Sequence, residues 1–199
     1  MSDDGKLPVH GFVLVGGKSS RMGVDKALLP FAGRPMVEIA VAKLREFCAD
    51  VSVVGNREDL AGYAPVVREA RVDVGPAAGI EAGLMAAGQE WSLFIPVDVP
   101  LVPGELLRRW AEAVMAKGCV ASYLVVQEQR QPAFCLMRRE CLVAVSAAIE
   151  RGERRVAALL GELERLWVCD AAGLGAVERW FLNLNTPQEL AEAEVWVVE

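Results

Sequence analysis

A glycine-rich segment near the amino terminus carries the residues best suited to binding an anion. It reads VLVGGKSSRMGVDKALLP, residues 13–30, and begins in a short apolar run. Gly16 and Gly17 have no Cβ, so consecutive N–H groups there can turn toward a phosphate. Arg21 suits bidentate contact with a phosphate, and Lys26 acts as a point charge. The segment predicts a phosphate-binding loop, and the alternative is a plain connection with incidental charges.

Two common phosphate-binding motifs do not fit this segment. The Walker A pattern GxxxxGK[ST] would require a glycine where the chain has Phe12. The dinucleotide pattern GxGxxG fails because Gly16 and Gly17 are adjacent and the next glycine is Gly23. The loop nevertheless follows the first predicted strand, and open α/β sheets bind ligands at that strand edge.

An aspartate ends a strongly apolar run later in the chain. The run is LFIPVDVPLVP, residues 93–103, and the acid is Asp98. A carboxylate at a strand end loses hydration free energy unless it meets a cation. Mg²⁺ is suited to this position, because it takes one or two carboxylates and completes its shell with phosphate oxygens and water. Asp98 is therefore a predicted Mg²⁺ ligand, and the alternative is a helix-capping aspartate.

A third segment, DVGPAAGIEAG at residues 73–83, precedes a predicted helix. Gly75 and Gly79 would let the first helical turn approach a ligand through its backbone N–H groups. Asp73 is placed to accept a hydrogen bond from a base or a ribose. On these residues alone, an ordinary structural turn is an equal alternative.

The elements that would position these residues alternate between β-rich and helical runs. Such alternation predicts parallel strands joined by crossover helices in an α/β sandwich. The predicted strands cover residues 11–15, 51–55, 64–69, 91–97, 119–126 and 130–138. The predicted helices cover residues 35–48, 77–89, 103–118, 140–152, 154–163 and 186–195.

Composition excludes several classes of protein. The chain has 199 residues, 53% of them hydrophobic and 24% charged, with a net charge of −6. No lysine or arginine block marks a nucleic-acid binder, and no apolar run reaches the ~18 residues of a membrane span. The five cysteines form no CxxC pair, and the single histidine, His10, precedes the predicted first strand. We expect buried free thiols in a cytoplasmic protein with no nucleic-acid or membrane partner.

The segment LVGGKSSRMGVDKALL resembles the signature LAGGxSxRMGxDK of molybdenum cofactor guanylyltransferases, within the wider group of small nucleotidyltransferases. The spacing from Gly16 to Lys26 holds without a gap. Further segments resemble family blocks in the same order. They are GN at 55–56, GPAAGI at 75–80, PVDVPLVP at 96–103, QPAFCL at 131–136 and FLNLNTPQEL at 181–190.

The resemblance implies a fold and a reaction. The fold is a three-layer Rossmann-like α/β sandwich with a mostly parallel sheet, of the nucleotide-diphospho-sugar transferase type. One domain would span residues 1–199, with a nucleotide-binding half at about 9–118 and a second-substrate half at about 119–199. The implied reaction transfers GMP from GTP to molybdopterin cofactor, requires Mg²⁺ and releases pyrophosphate.

The resemblance also implies roles for individual residues. Those implied to hold GTP are Leu14, Val15, Gly16, Gly17 and Lys26. Asn56 and Asp73 would contact the nucleoside, and Asp98 would ligate Mg²⁺. Asn183 and Asn185 would lie on the pterin side. Departures from the family pattern are Val15 for alanine, Val97 for cysteine, Ala77 for leucine, and an Asp73 that lies closer to Gly75 than is usual.

The implied reaction agrees with the chemistry of these residues. Attack by a phosphate monoester on the α-phosphorus of GTP needs positioning and charge neutralisation more than a protein nucleophile. Arg21, Lys26 and an ion held by Asp98 would stabilise the charge that develops as pyrophosphate leaves. We therefore predict these three residues as catalytic.

Other functions stay open at this point. Relatives that use CTP tend to have LAAG where this chain has LVGG, and the additional glycine, which is Gly16 in this alignment, would leave room for a purine near the backbone. The alternatives are a CTP-dependent molybdopterin cytidylyltransferase and another nucleotidyltransferase of small phosphorylated molecules. A non-catalytic nucleotide-binding domain is disfavoured because both Lys26 and Asp98 are present. Expected partners are GTP, molybdopterin cofactor and, transiently, molybdoenzyme maturation proteins.

Overall fold

A computed structural model describes residues 5–15, 25–71, 74–184 and 186–197 of the chain. The strands are β1 (Leu7–Leu14), β2 (Pro30–Phe31), β3 (Arg34–Pro35), β4 (Cys48–Val54), β5 (Val66–Val67), β6 (Trp91–Pro96), β7 (Ala121–Val126), β8 (Gln129–Arg138) and β9 (Leu166–Asp170). The α-helices are α1 (Met36–Arg45), α2 (Pro76–Ala86), α3 (Gly104–Ala116), α4 (Leu142–Glu150), α5 (Val156–Gly161) and α6 (Pro187–Glu194).

Seven of the strands in the described residues form one sheet in the order β5-β4-β1-β6-β8-β7-β9. Strands β5, β4, β1 and β6 run parallel to one another, and β7 is parallel to β9. Strand β8 is antiparallel to both β6 and β7. The sheet is therefore mostly parallel, as predicted.

Helices cover both faces of this sheet. Successive side chains of a strand point to opposite faces, and β1 divides in this way. Val9 and Val13 belong to the core cluster that includes residues of α1, α3 and α6. Phe12 and Leu14 belong to the cluster that includes residues of α2, α4 and α5. These two cores on either side of one sheet make the predicted three-layer sandwich.

Local sequence signals explain several of the elements. In α1 the buried residues are Met36, Val37, Ala40, Val41 and Leu44, which is the spacing of one helical face. The first five residues of β6 are all buried, as expected for a central strand covered on both faces.

Helix α6 begins with a capping box. Thr186 Oγ1 accepts a hydrogen bond from Glu189 N at 3.2 Å, and Glu189 Oε2 accepts one from Thr186 N at 3.0 Å.

Two predictions about elements were wrong or incomplete, and two features of the fold were not predicted. Strand β1 begins at Leu7, so His10 lies inside the strand rather than before it. There, His10 Nε2 lies 2.9 Å from Ser52 Oγ, and burial lowers the pKa of the imidazole. The strand predicted at 64–69 is reduced to the two residues of β5. The sequence did not predict the β2–β3 hairpin or strand β9.

All five cysteines are buried and free, as predicted. Burial raises the pKa of Cys141 and of Cys169 to about 11, so neither thiol is ionised near neutral pH. Within the described residues, no helix combines the length and the apolar character needed to cross a membrane.

Gly83 allows α2 to lie close to the sheet. A methyl group at this position would lie 2.4 Å from Phe94 Cε1 and 3.4 Å from Phe12 Cγ. We expect Gly83→Ala to lower the free energy of unfolding by about 1–3 kcal/mol, because overpacking outweighs the better helix propensity of alanine. Equilibrium denaturation in urea measures this difference.

Gly161, at the end of α5, provides the control for this prediction. Among the described residues, no atom beyond the neighbouring residues and the backbone of α5 itself lies within 4 Å of a methyl group placed there. Gly161→Ala should therefore leave stability unchanged or raise it by up to about 1 kcal/mol. An equal response of the two variants would contradict the close packing of α2 on the sheet.

Candidate active site

The carboxyl ends of three parallel strands meet at one edge of the sheet. Leu14, the last residue of β1, is in register with Val54 at the end of β4 and with Pro96 at the end of β6. Beyond the strands, Val15 N donates to Val54 O at 3.0 Å, and Val97 N donates to Leu14 O at 3.2 Å. The glycine-rich segment therefore begins between the loops that follow β4 and β6.

The two predicted charges of the site are adjacent in space. Lys26 and Asp98 are 72 positions apart in sequence, yet Lys26 Nζ lies 3.3 Å from Asp98 Oδ2. The side chains are 31% and 21% exposed, so a ligand can reach both. Lys26 begins a single 3-10 turn, Lys26–Leu28, and Asp98 follows β6. The structure thus brings together a cation and an acid at the edge where the glycine-rich segment starts.

Arg57, which was not predicted as a site residue, binds the residue before Lys26. Its Nη1 donates to Asp25 Oδ1 at 2.9 Å, and its Nη2 donates to Asp25 Oδ2. It also donates to both carboxylate oxygens of Asp59, at 2.8 and 2.6 Å. The hydrogen bonds to Asp59 raise the pKa of the Arg57 guanidinium most, and those to Asp25 raise it further. The available signal was its place directly after Gly55 and Asn56 at the end of β4.

Glu69 is a second residue that was not predicted from the sequence. Its Oε1 would lie 3.0 Å from a Cβ atom at Gly79, next to Leu14 and Val54. Burial raises the pKa of its carboxyl group. Among the residues that the structure describes, this carboxylate has no hydrogen-bond or ion-pair partner. Its position just past β5 was the signal that could have identified it.

Gly75 and Gly79 occupy the start of α2, as predicted. Gly75 precedes the helix with φ of 75°, a left-handed conformation that favours glycine. At Gly79 a Cβ atom would lie 3.1 Å from Leu14 Cδ2 as well as 3.0 Å from the Glu69 carboxylate. The missing side chain therefore keeps open the space between α2 and the end of β1.

The late NLNTP segment reaches the same edge of the sheet. Leu184 N donates to Asp98 O at 2.9 Å, which ties the segment to the loop after β6. Asn183, beside Leu184, is exposed, and so is Asn56 after β4. The remaining predicted site residues, Gly16, Gly17, Arg21, Asp73 and Asn185, lie outside the described residues, and their roles stay predictions.

Comparisons with known proteins decide the family. The family described as MobA-like NTP transferase domain matches residues 11–166. The chain belongs to this family. It is 33% identical to a molybdenum cofactor guanylyltransferase of Vibrio atlanticus (strain LGP32), covering 90% of this chain and 92% of the relative. It is 35% identical to the protein of the same name from Vibrio cholerae, covering 90% and 88%. The resemblance stated from the sequence is confirmed.

Solved structures of nucleotidyltransferases share the fold. Molybdopterin-guanine dinucleotide biosynthesis protein A from Archaeoglobus fulgidus is similar with a TM-score of 0.79 at 24% identity, covering 95% of this chain and 98% of that one. The 2-C-methyl-D-erythritol 4-phosphate cytidylyltransferase from Thermus thermophilus has a TM-score of 0.68 at 19% identity, covering 94% and 98%. The predicted fold class is therefore confirmed.

In this MobA-like chain, a side chain of α1 forms a hydrogen bond with the segment that follows Asp98. Lys43 of α1 donates from Nζ to the carbonyl oxygen of Pro100. Burial lowers the pKa of Lys43 to about 8, while nearby Glu46 raises it. The contact therefore uses a partly buried amine, which holds the backbone two residues beyond Asp98.

The metal that the family implies fits this donor set. In the part of the chain that the structure describes, no group of three or more His, Cys, Asp or Glu side chains is arranged to hold a metal. Asp98 offers one accessible carboxylate near the start of the glycine-rich segment. One carboxylate with phosphate oxygens and water suits Mg²⁺, which seldom binds in an all-protein cage.

Proposed function

We propose that the chain is a molybdenum cofactor guanylyltransferase, which transfers GMP from GTP to molybdopterin cofactor. The phosphate monoester oxygen of the cofactor would form a bond to the α-phosphorus of GTP. The bond from this phosphorus to the oxygen of the β-phosphate would break, and pyrophosphate would leave. The observation that carries the proposal is the Lys26–Asp98 pair at the edge where the glycine-rich segment begins.

Lys26 would act on the triphosphate. Its ammonium group contacts the carboxylate that follows β6, and Lys26 lies near the end of the glycine-rich segment, so a polyphosphate bound at this edge would lie near its charge. A point charge held in place lowers the free energy of the charge that develops on the leaving pyrophosphate. Lys26 need not move a proton for this purpose.

Asp98 would hold Mg²⁺ together with oxygens of the nucleotide. When bound there, the ion would supply positive charge to the α- and β-phosphates. Asp98 would also keep Lys26 oriented, because the two side chains are in contact. No other described carboxylate is needed for an ion that keeps water and phosphate in its shell.

Glu69 would recognise the guanine base of GTP through hydrogen bonds to its carboxylate. Guanine presents the N1–H and N2–H donors side by side, and a carboxylate can accept both. Cytosine does not present two adjacent donors on its pairing edge. Because the Glu69 carboxylate lies beside Leu14 and Gly79 without a partner among the described residues, it is suited to a guanine in this space. Asp73 stays a predicted contact of the nucleoside.

A pyrophosphate-release assay tests the proposed function. Purified protein with Mg²⁺ and molybdopterin cofactor is given GTP, CTP or ATP, and sugar phosphates replace the cofactor in parallel reactions. We expect release with GTP and the cofactor. Preference for CTP would assign a cytidylyltransferase, and turnover of a sugar phosphate would assign a different acceptor. No release under any condition would indicate a non-catalytic nucleotide-binding domain.

A cytoplasmic location and a transient contact with molybdoenzyme maturation proteins stay predictions that accompany this function. Fractionation of cells that express the protein tests the location. Co-purification with a molybdoenzyme and its maturation protein tests the contact.

A further inference from the structure

Arg57 connects the loop after β4 to the end of the glycine-rich segment. It donates to both oxygens of Asp25 from Nη1 and Nη2. The two side chains are 28% and 38% exposed, so the pair is only partly screened by water. This contact spans 32 positions of sequence and joins segments that follow neighbouring parallel strands.

Asp25 accepts the hydrogen bonds that hold the 3-10 turn in which Lys26 lies. Its Oδ1 accepts from Ala27 N at 3.1 Å, which makes it the cap of the 3-10 turn. Its carbonyl oxygen accepts from Leu28 N and Leu29 N, both at 3.1 Å. The carboxylate and the carbonyl of one residue therefore hold the three amides that follow Lys26.

The guanidinium of Arg57 is itself held from the other side. Asp59 accepts from Nε and Nη2 of Arg57, so the planar group lies between two carboxylates. A planar fork with five donors can satisfy two carboxylates at once, whereas an ammonium group offers no such geometry. Arg57 therefore presents a fixed orientation to Asp25.

We propose that Arg57 is a positioning residue for Lys26, acting through Asp25. Lysine has a long flexible side chain, so the place of its ammonium group depends on the backbone turn beneath it. Arg57 and Asp25 hold that turn, and Lys26 then reaches to 3.3 Å from Asp98. The inference rests on the proposed function for its kinetic test, but the contact itself can be tested without turnover.

A mutant cycle distinguishes positioning from a general loss of stability. Arg57→Ala should lower kcat/KM by about tenfold, since small misplacements of a catalytic group have effects of this order or larger. In a Lys26→Ala background the same change should have almost no further effect, because the group that it positions is gone. A merely structural role would lower kcat/KM equally in both backgrounds, and that result would overturn the proposal.

Two further variants complete the cycle. Asp25→Asn keeps the shape of the side chain and should match Arg57→Ala. Arg108→Ala removes an arginine of similar exposure from an ion pair with Glu112 on α3, and should leave kcat/KM unchanged. Circular dichroism and urea denaturation establish that each variant is folded. The cycle is run with whichever nucleotide the wild type uses, so that failure of the GTP assignment is distinguished from failure of the positioning role.

Hydrogen exchange provides a readout that needs no turnover. In Arg57→Ala, the amides of residues 27–29 should exchange about fivefold faster or more, because their acceptor is no longer held. In Arg108→Ala they should exchange as in the wild type. Unchanged exchange of these amides in Arg57→Ala would overturn the proposal, whatever the activity measurements show.

Discussion

Asp98→Asn should lower kcat for GMP transfer on the order of 10²- to 10³-fold while the protein stays folded. Asparagine keeps the shape of the side chain but removes the charge that would hold Mg²⁺ and face Lys26. The fold should survive because the backbone contact from Leu184 N goes to the carbonyl oxygen of Asp98, which the substitution leaves in place. Losing a partly exposed ion pair has little effect on stability.

The measurement is the rate of pyrophosphate release at saturating GTP over a series of Mg²⁺ concentrations. Asp50→Asn is the control, because Asp50 is an exposed aspartate in β4, hydrogen-bonded to Gln89. Its turnover should equal that of the wild type. Wild-type turnover of Asp98→Asn in excess Mg²⁺ would rule out the assigned role of Asp98.

Glu69→Gln should remove the discrimination between GTP and ITP, which lacks the N2 amino group. The wild type should favour GTP by about 10- to 100-fold, the range of a hydrogen bond to a charged group. In Glu69→Gln, the affinity for GTP should fall toward that for ITP, because a neutral amide cannot accept two neighbouring donors in the same way. Affinity for ITP should change less, since ITP keeps only the N1–H donor.

Isothermal titration calorimetry with the two nucleotides measures both affinities. Glu112→Gln on the surface of α3 is the control and should bind each nucleotide as the wild type does. Undiminished preference for GTP in Glu69→Gln would show that another group reads the base. The prediction for Asp98 would be unaffected by that result, because it concerns the phosphates and not the base.

The alternation of apolar runs determined most of the architecture. Strands β1, β4 and β6 and the α-helices of the described residues follow from hydrophobic spacing, which indicates which faces of an element are buried. The strand predicted at residues 130–138 is β8, but hydrophobic spacing does not report strand direction, so its antiparallel pairing was not predicted. The turn between β7 and β8 has positive φ at Gln127 and Glu128, a conformation usually marked by Asn-Gly or Asp-Gly. The usual hairpin signal was therefore missing.

Strand β9 was missed for a related reason. The segment LWVCD begins with four apolar residues, but so short a run does not distinguish a strand from a helical segment by periodicity, and only Cys169 of the five residues is buried. Within the part of the chain that the structure describes, it is an edge strand that pairs with β7 alone. The strand with which it pairs is a matter of tertiary structure, which the local sequence does not report.

The amino-acid sequence by itself determined which residues could bind phosphate and metal, because glycine, lysine and aspartate have the required chemistry wherever they are placed. Lys26 and Asp98 were recognised in this way. Only the tertiary structure decided that they lie 3.3 Å apart, and that Arg57 and Glu69 join them. The physical reason is the register of parallel strands: Leu14, Val54 and Pro96 end at one edge, so residues far apart in sequence become neighbours there.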